Sequence, residues 1–271
     1  RELRYAALLH DIGKIGVRES ILVKAERLYP DVLDTIKTRF ETIKACETLS
    51  LTRSLSESLL KEKTPLTQAA LDQLEVRTSA IREQLDQQMS FILEANSNPF
   101  NDEETISRLE EIGNTTYTDS SGNRLPVLKS DELASLQIQR GTLTQEEWQD
   151  IKSHSALSRD YLNQIPWNDD LKRIPMIAGW HHEKLDGSGY PDGIQGDEIP
   201  LTVRMLTICD IYDSLTAADR PYRNALSPEK AGEILKFEAE KGQLDEKLVN
   251  FFVSNVIPRW EKNKETFNDK S

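Results

Sequence analysis

Apolar residues in this chain recur at spacings of three and four far more often than at two, which predicts helices rather than strands. Near the start, Leu3, Ala6, Ala7 and His10 share one face of a helix that runs into a short turn at Gly13 and Gly16. From about Leu28 to Gln139 the apolar pattern narrows. Leu33, Ile36, Phe40 and Ile43, and then Leu71, Leu74, Ile81, Leu85, Met89 and Ile92, form stripes suited to long helices paired as a hairpin. The period breaks between Asn114 and Leu128, where Ser121, Gly122 and Asn123 carry turn chemistry that predicts a small hairpin or loop. Thr144 and Glu147 then form a capping-box pair ahead of a helix through about Asn163. The expected fold class is all-α, with three regions: residues 1–28, a helical insertion over 29–139, and residues 140–271 with the C-terminal helices.

Composition narrows the function classes. A chain of 271 residues can bury a core without covalent staples. Thirty-four Lys plus Arg against 46 Asp plus Glu leave a net charge of −12, which repels a phosphate backbone and argues against bulk nucleic-acid binding. Cys46 and Cys209 are too few for a zinc cluster or a disulfide framework, which predicts a cytoplasmic location. No apolar run approaches the ~20 residues of a membrane span, and the first residues lack the succession of a signal peptide. Arg1 falls inside a helical pattern, so an upstream segment is expected.

The candidate chemistry lies outside the polar middle region, which holds none of the four histidines. His10 is followed by Asp11, His154 sits in the helix after the capping box, and His181 and His182 are adjacent. Imidazole with carboxylate suits Zn, Fe, Mn or similar ions. A single such histidine is more often a satisfied core residue than a ligand, so only the joint arrangement is informative. His10 and His154 fall on apolar helix faces and should point inward, where buried rings need partners. Val203, Leu206, Asp210 and Asp213 are spaced to place two carboxylates on an otherwise packed face, an arrangement that a metal would satisfy. Adjacent helical residues differ by about 100°, so His181 and His182 both reach metal only by flanking two ions or by sitting at a fraying helix end. Lys14 returns to the side of His10 and Asp11, where it can hold a phosphate as a point charge or stand solvated at a helix end. Arg220 and Arg223 bracket Pro221 and Tyr222, two guanidinium forks that suit phosphate oxygens or the many acids of the chain.

Three strings carry a resemblance: AALLHDIGKIG from Ala6 to Gly16, HHEKLDGSGYPDG from His181 to Gly193, and CDIYDSLTAADRPYR from Cys209 to Arg223. Together they resemble the HD-GYP family of the HD-domain metal-dependent phosphohydrolases, which are bacterial signalling proteins. The resemblance implies an all-helical HD-domain bundle holding two or three divalent ions, Fe, Mn or similar. It implies His10, Asp11, His154, His181, His182 and Asp210 as ligands, with Asp11 and Lys14 catalytic and Lys14 on the scissile phosphate. Arg220 and Arg223 would bind the substrate phosphates. The loop bearing Asp186, Gly189, Tyr190 and Pro191 would shape the substrate entrance or receive a regulator protein, with Gly187 and Gly189 adopting angles that other residues avoid.

The chain departs from the family pattern in two ways. A helix ahead of the His-Asp pair usually adds a Glu and a His to the site, and this chain begins after that point. The family also runs directly from the KxxxL segment into the LTxEEW helix, whereas here Lys24 to Leu28 and Leu143 to Trp148 are separated by the inserted hairpin. The expected activity is metal-dependent hydrolysis of a cyclic dinucleotide, cyclic di-GMP first, downstream of a sensory domain. The alternatives are a module of the same fold that works by protein contact, and a phosphohydrolase of another nucleotide, which Gly-Tyr-Pro and RPYR disfavour.

Overall fold

A computed structural model describes residues 1–217 and 225–268, with side chains up to residue 262. The chain begins with α1 (Glu2–Leu9), a 3-10 turn (Ile12–Gly16) and α2 (Glu19–Leu22). Next come the long helices α3 (Pro30–Glu62) and α4 (Gln68–Ser97), then α5 (Glu103–Gly113), strands β1 (Thr116–Thr118) and β2 (Arg124–Pro126), and α6 (Ser130–Leu136). The remainder is α7 (Gln145–Asn163), α8 (Ile174–Gly179), α9 (Leu201–Thr216), α10 (Pro228–Glu240), α11 (Glu246–Phe251) and α12 (Ile257–Asn268), with a π-helical segment at Phe252–Val256. The fold is all-α; among the described residues the one sheet is the β1–β2 hairpin. It divides into two compact units, Arg1–Val23 with Gln145–Ser271, and Lys24–Thr144.

In the Lys24–Thr144 unit, Pro30 opens α3, where its missing N–H costs nothing. The Thr67 side chain accepts from Ala70 N and caps α4. The expected stripes are buried near the helix ends that meet the rest of the unit: Leu33, Ile36, Phe40 and Ile43 of α3 and Leu85 and Ile92 of α4 pack with Leu109, Ile112, Tyr117 and Leu136. The stripes therefore form a core with α5, α6 and the hairpin rather than only with each other, and Leu71, farther along α4, is exposed. The hairpin pairs Tyr117 with Leu125, and Asp119 Oδ1 accepts from Ser121 N and Asn123 N to fix its turn.

This unit also takes in Lys24 to Leu28, which the sequence pattern groups with the first region. Arg27 explains the difference. Its guanidinium is fully buried and donates to the carbonyls of Ala95 and Ile138, each at 2.8 Å, and to that of Asn98. It thereby satisfies a carbonyl in the last turn of α4 that no intrahelical N–H can reach. At the other end of the unit, Thr142 Oγ1 donates to Lys24 O at 3.3 Å, so entry and exit lie side by side.

The other unit has two apolar clusters, and α9 belongs to both. Val203 and Leu206 pack with Ala6, Leu162 and Ile177; Ile208, Tyr212 and Leu215 pack with Leu235 and Val249. The packed side of α9 thus rotates along its length, which corrects one expectation: Asp210 is half-buried, but Asp213 is exposed.

The 3-10 turn is pressed against α7. Gly13 N donates to Ser158 Oγ at 2.9 Å, and Ser158 Oγ donates to His10 O at 2.5 Å. A Cβ on Gly13 would stand 2.0 Å from His154 O and 2.5 Å from Ser158 N, both rigid backbone atoms. Gly13→Ala is therefore expected to push the turn off α7 and destabilise this unit by about 1–3 kcal/mol, as overpacking does. Thermal unfolding checks it, and an unchanged midpoint would show that the contact is soft.

Candidate metal centre

The site is built from the C-terminal end of α1, the middle of α7, the turn after α8 and the middle of α9. Three histidines are oriented by the same local device. His10 Nδ1 lies 2.8 Å from Ala7 O, His154 Nδ1 2.5 Å from Ile151 O and His181 Nδ1 2.5 Å from Ala178 O, each a carbonyl three residues back. A proton on each Nδ1, assigned from these contacts, turns all three Nε2 atoms inward and leaves those of His154 and His181 as bare lone pairs. The Nε2 atoms of His154 and His181 then face each other at 3.4 Å with no proton between two neutral rings.

Asp11 spans the cluster. Its Oδ1 lies 3.4 Å from His154 Nε2 and 4.0 Å from His181 Nε2, while its Oδ2 lies 3.3 Å from His10 Nε2 and 2.6 Å from Lys14 Nζ. Asp210 places Oδ1 3.4 Å from His10 Nε2 and Oδ2 3.9 Å from His182 Nδ1. All six expected ligands are thus brought together. Among the described residues two donor groups fall within 4.8 Å: His154, His181 and His182, and His10, His181 and Asp210. His181 and His182 reach the site from the turn after Gly179 rather than from a helix, which frees them from the 100° offset of adjacent helical positions.

Electrostatics shows what the cluster needs. Burial works against charge on His10, but Asp11 and Asp210 outweigh it and lift its pKa to about 10. Burial also opposes ionisation of Asp11, yet His10 and Lys14 hold its carboxyl well below the usual range; Asp210 is likewise lowered, chiefly by His10, against its burial. Burial, helped by the cation on His10, drops His181 to about 4; burial and then His181 drop His182 to about 2, and burial lowers His154. Two carboxylates therefore hold one cation amid three neutral rings, and His10 Nε2 is buried without an aligned hydrogen bond. This nitrogen and carboxylate donor set fits a borderline divalent ion.

The Gly-Tyr-Pro loop packs onto the same turn. Gly187 has φ +80°, the backbone freedom expected of it, whereas Gly189 is needed for close approach: a Cβ there would meet Lys184 N at 2.4 Å and Glu183 Cα at 2.5 Å. The Tyr190 ring lies 4.7 Å from that of His182, and Pro191 follows it, half-buried. Asp186 is exposed, and its Oδ1 accepts from Ser188 N and Ser188 Oγ, so its carboxylate is turned on the loop itself. Arg220 and Arg223 lie outside the described residues.

Sequence reasoning missed Glu183. It is buried, Oε1 accepts from Asp192 N at 2.7 Å and Gly193 N at 3.1 Å, and burial raises its pKa. Asp192 in turn accepts from Trp180 Nε1 at 2.6 Å and from Arg159. The signal was present: Glu183 is the acid directly after the paired histidines.

Residues 129–248 match the model of the HD domain family, a span that includes His154, His181, His182 and Asp210 but not His10 or Asp11. That stretch of the chain is similar to HD domains. The HD-GYP resemblance of the three strings is consistent with it. The chain is 43% identical over 96 residues, 35% of its length and 20% of the relative, to 3'3'-cGAMP-specific phosphodiesterase 3 of Vibrio cholerae serotype O1. It is 36% identical over 110 residues, 41% of this chain and 28% of the relative, to the cyclic di-GMP phosphodiesterase response regulator RpfG of Xanthomonas campestris pv. campestris. A cyclic di-GMP phosphodiesterase of Thermotoga maritima is 34% identical over 95 residues, 35% of this chain and 25% of the relative. The matched stretches span only 20–28% of these curated relatives. Among the described residues no helix is long and apolar enough to cross a membrane.

Proposed function

We propose that this chain is a metal-dependent phosphodiesterase acting on a cyclic dinucleotide, cyclic di-GMP first. The observation that carries the reading is the pair of donor groups at the HD motif, with Asp11 presenting one oxygen to each. His10, Asp210 and Asp11 would hold one ion, and His154, His182 and Asp11 another; one imidazole nitrogen serves one ion, so His181 belongs to either group. Two or three divalent ions, Fe, Mn or similar, supply Lewis acidity and a hydroxide near neutral pH when bound.

The protein's own contribution is orientation and charge. The three Nδ1 contacts to backbone carbonyls hold the rings in one tautomer, which fixes the direction of each lone pair. Lys14 Nζ lies 2.6 Å from Oδ2 of Asp11, where its ammonium can meet a phosphate oxygen. Arg220 and Arg223 would take the remaining phosphate charge, and the Asp186 to Pro191 loop would border the entrance and offer a surface to a regulator.

Elemental analysis of the purified chain with turnover of cyclic di-GMP tests the reading. Bound divalent metal with hydrolysis supports it; a metal-free or inert protein overturns it. Lys14→Met is expected to lower kcat about 10²-fold, the effect of removing one preorganised charge-stabilising donor, with metal content retained. A loss of metal instead would make Lys14 a support for Asp11 alone.

The Lys24–Thr144 unit is, in this reading, an insertion in the HD domain that brings no imidazole to the site. Because its ends adjoin, a short Gly-Ser linker in place of residues 26–141 closes the gap at small entropic cost. The shortened chain is expected to keep its metal, and an insoluble or metal-free product would make the unit part of the site's support.

A further inference from the structure

Outward from the metal cluster, three side chains form a path with no role in holding ions. Trp148 and Lys152 lie four apart on α7 and so share a face. Trp148 is 45% exposed, so it is not a core residue. Lys152 Nζ stands 5.6 Å from the centre of the Trp148 ring and 5.2 Å from that of Tyr190, whose ring packs on His182.

The Lys152 ammonium makes no hydrogen bond or ion pair among the described residues, whereas Lys14, Lys37, Lys44, Lys172 and Lys184 each meet a carboxylate. In a chain with 46 acids to 34 bases, a lysine held between two aromatic rings beside the site and left without a carboxylate is available to a ligand. An exposed indole face and a free ammonium donor together are what a nucleobase needs: a plane to stack on and a donor for its edge.

Resting on the phosphodiesterase reading, we propose that Trp148 and Lys152, with Tyr190, form the subsite for one base of the dinucleotide and select guanine. The base stacks on Trp148, and Lys152 donates to O6 and N7. Guanine presents two acceptors along that edge, whereas adenine presents an N6 donor beside N7 and meets the ammonium with the wrong sign.

The test uses the full metal-loaded chain with cyclic di-GMP, cyclic di-AMP and bis(p-nitrophenyl) phosphate, a diester without a base. In Trp148→Ala, kcat/KM for cyclic di-GMP relative to that for the small diester is expected to fall about 10-fold, through KM, as the stacking surface is lost. Trp148→Phe, which keeps an aromatic face, should recover most of that ratio. Lys152→Gln should shift discrimination between cyclic di-GMP and cyclic di-AMP about 5-fold towards adenine, because an amide pairs with N6 and N7. Equilibrium binding of cyclic di-GMP to the metal-free protein should weaken in both Trp148→Ala and Lys152→Gln, which separates binding from turnover. Should Trp148→Ala lose helix content, Trp148→Leu, apolar but without a π-face, takes its place with the same expected fall. Ratios that stay at the parent values while both guanine-containing and small diesters are hydrolysed overturn the subsite alone. A parent chain that hydrolyses none of the three overturns the phosphodiesterase reading.

Discussion

Asp11→Asn is expected to remove hydrolysis of cyclic di-GMP and to strip the chain of metal while leaving its helix content intact. The amide is nearly isosteric with the carboxylate, so packing beside His10 and His154 is preserved. What changes is charge and polarity: one oxygen becomes an NH2 donor facing either Lys14 and His10 or the bare Nε2 of His154. Loss of an outer partner of a metal ligand already costs about 10–100-fold in affinity or activity, so loss of a residue that reaches both donor groups should exceed 100-fold. Elemental analysis after dialysis, circular dichroism and turnover make the measurement. Full turnover in the variant would show that Asp11 holds no ion.

Glu132→Ala should destabilise the Lys24–Thr144 unit by about 3–5 kcal/mol, the cost of breaking a buried pair from one side. Glu132 is 3% exposed and takes both arms of the Arg39 guanidinium, at 2.6 and 2.8 Å, while its Oε2 also accepts from Lys129 N. Truncation strands the Arg39 charge and removes the acceptor at the start of α6. Burial alone would raise the Glu132 pKa, but Arg39 outweighs it and holds the carboxyl below its ordinary value of 4.5. The pair's stabilisation is therefore complete above that value and is lost as pH falls through the lower folded-state value. Urea unfolding followed by circular dichroism should show this acid loss in the parent chain and not in Glu132→Ala. Trp148, Trp167, Trp180 and Trp260 all lie in the other unit, so tryptophan fluorescence serves as the internal reference. Equal sensitivity of both signals to the substitution would show that the two units unfold together.

Helix content was legible because a 3.6-residue apolar period can be read from one chain without its neighbours: Leu33 to Ile43 and Leu85 to Ile92 are buried as their spacing requires. The hairpin at Thr116 to Pro126 was legible for a similar reason, since Asp119, Gly122 and Asn123 specify their turn locally. The types of the site residues were legible too, because His-Asp, His-His and the lone Asp210 have few structural uses in combination. Even the ring orientations are local, each Nδ1 reaching a carbonyl three residues back.

Periodicity says which face of a helix is apolar but not what will cover it, and that limit accounts for what the sequence left open. Asp213 reads as packed beside Asp210, yet α9 passes from one apolar cluster to another and its buried side turns away. Gly189 reads as a conformational residue, yet its requirement is the absence of a Cβ against Lys184 N, a contact set by how the loop folds back. Nothing in the sequence around Arg27 marks it as buried, and only the end of α4, some seventy positions away, gives its guanidinium carbonyls to bind. The convergence of His10 and Asp11 with Asp210 is of the same kind. Sequence by itself determined the helices and the donors; packing across long separations decided which donors meet, because burial and chain closure depend on partners that no local window contains.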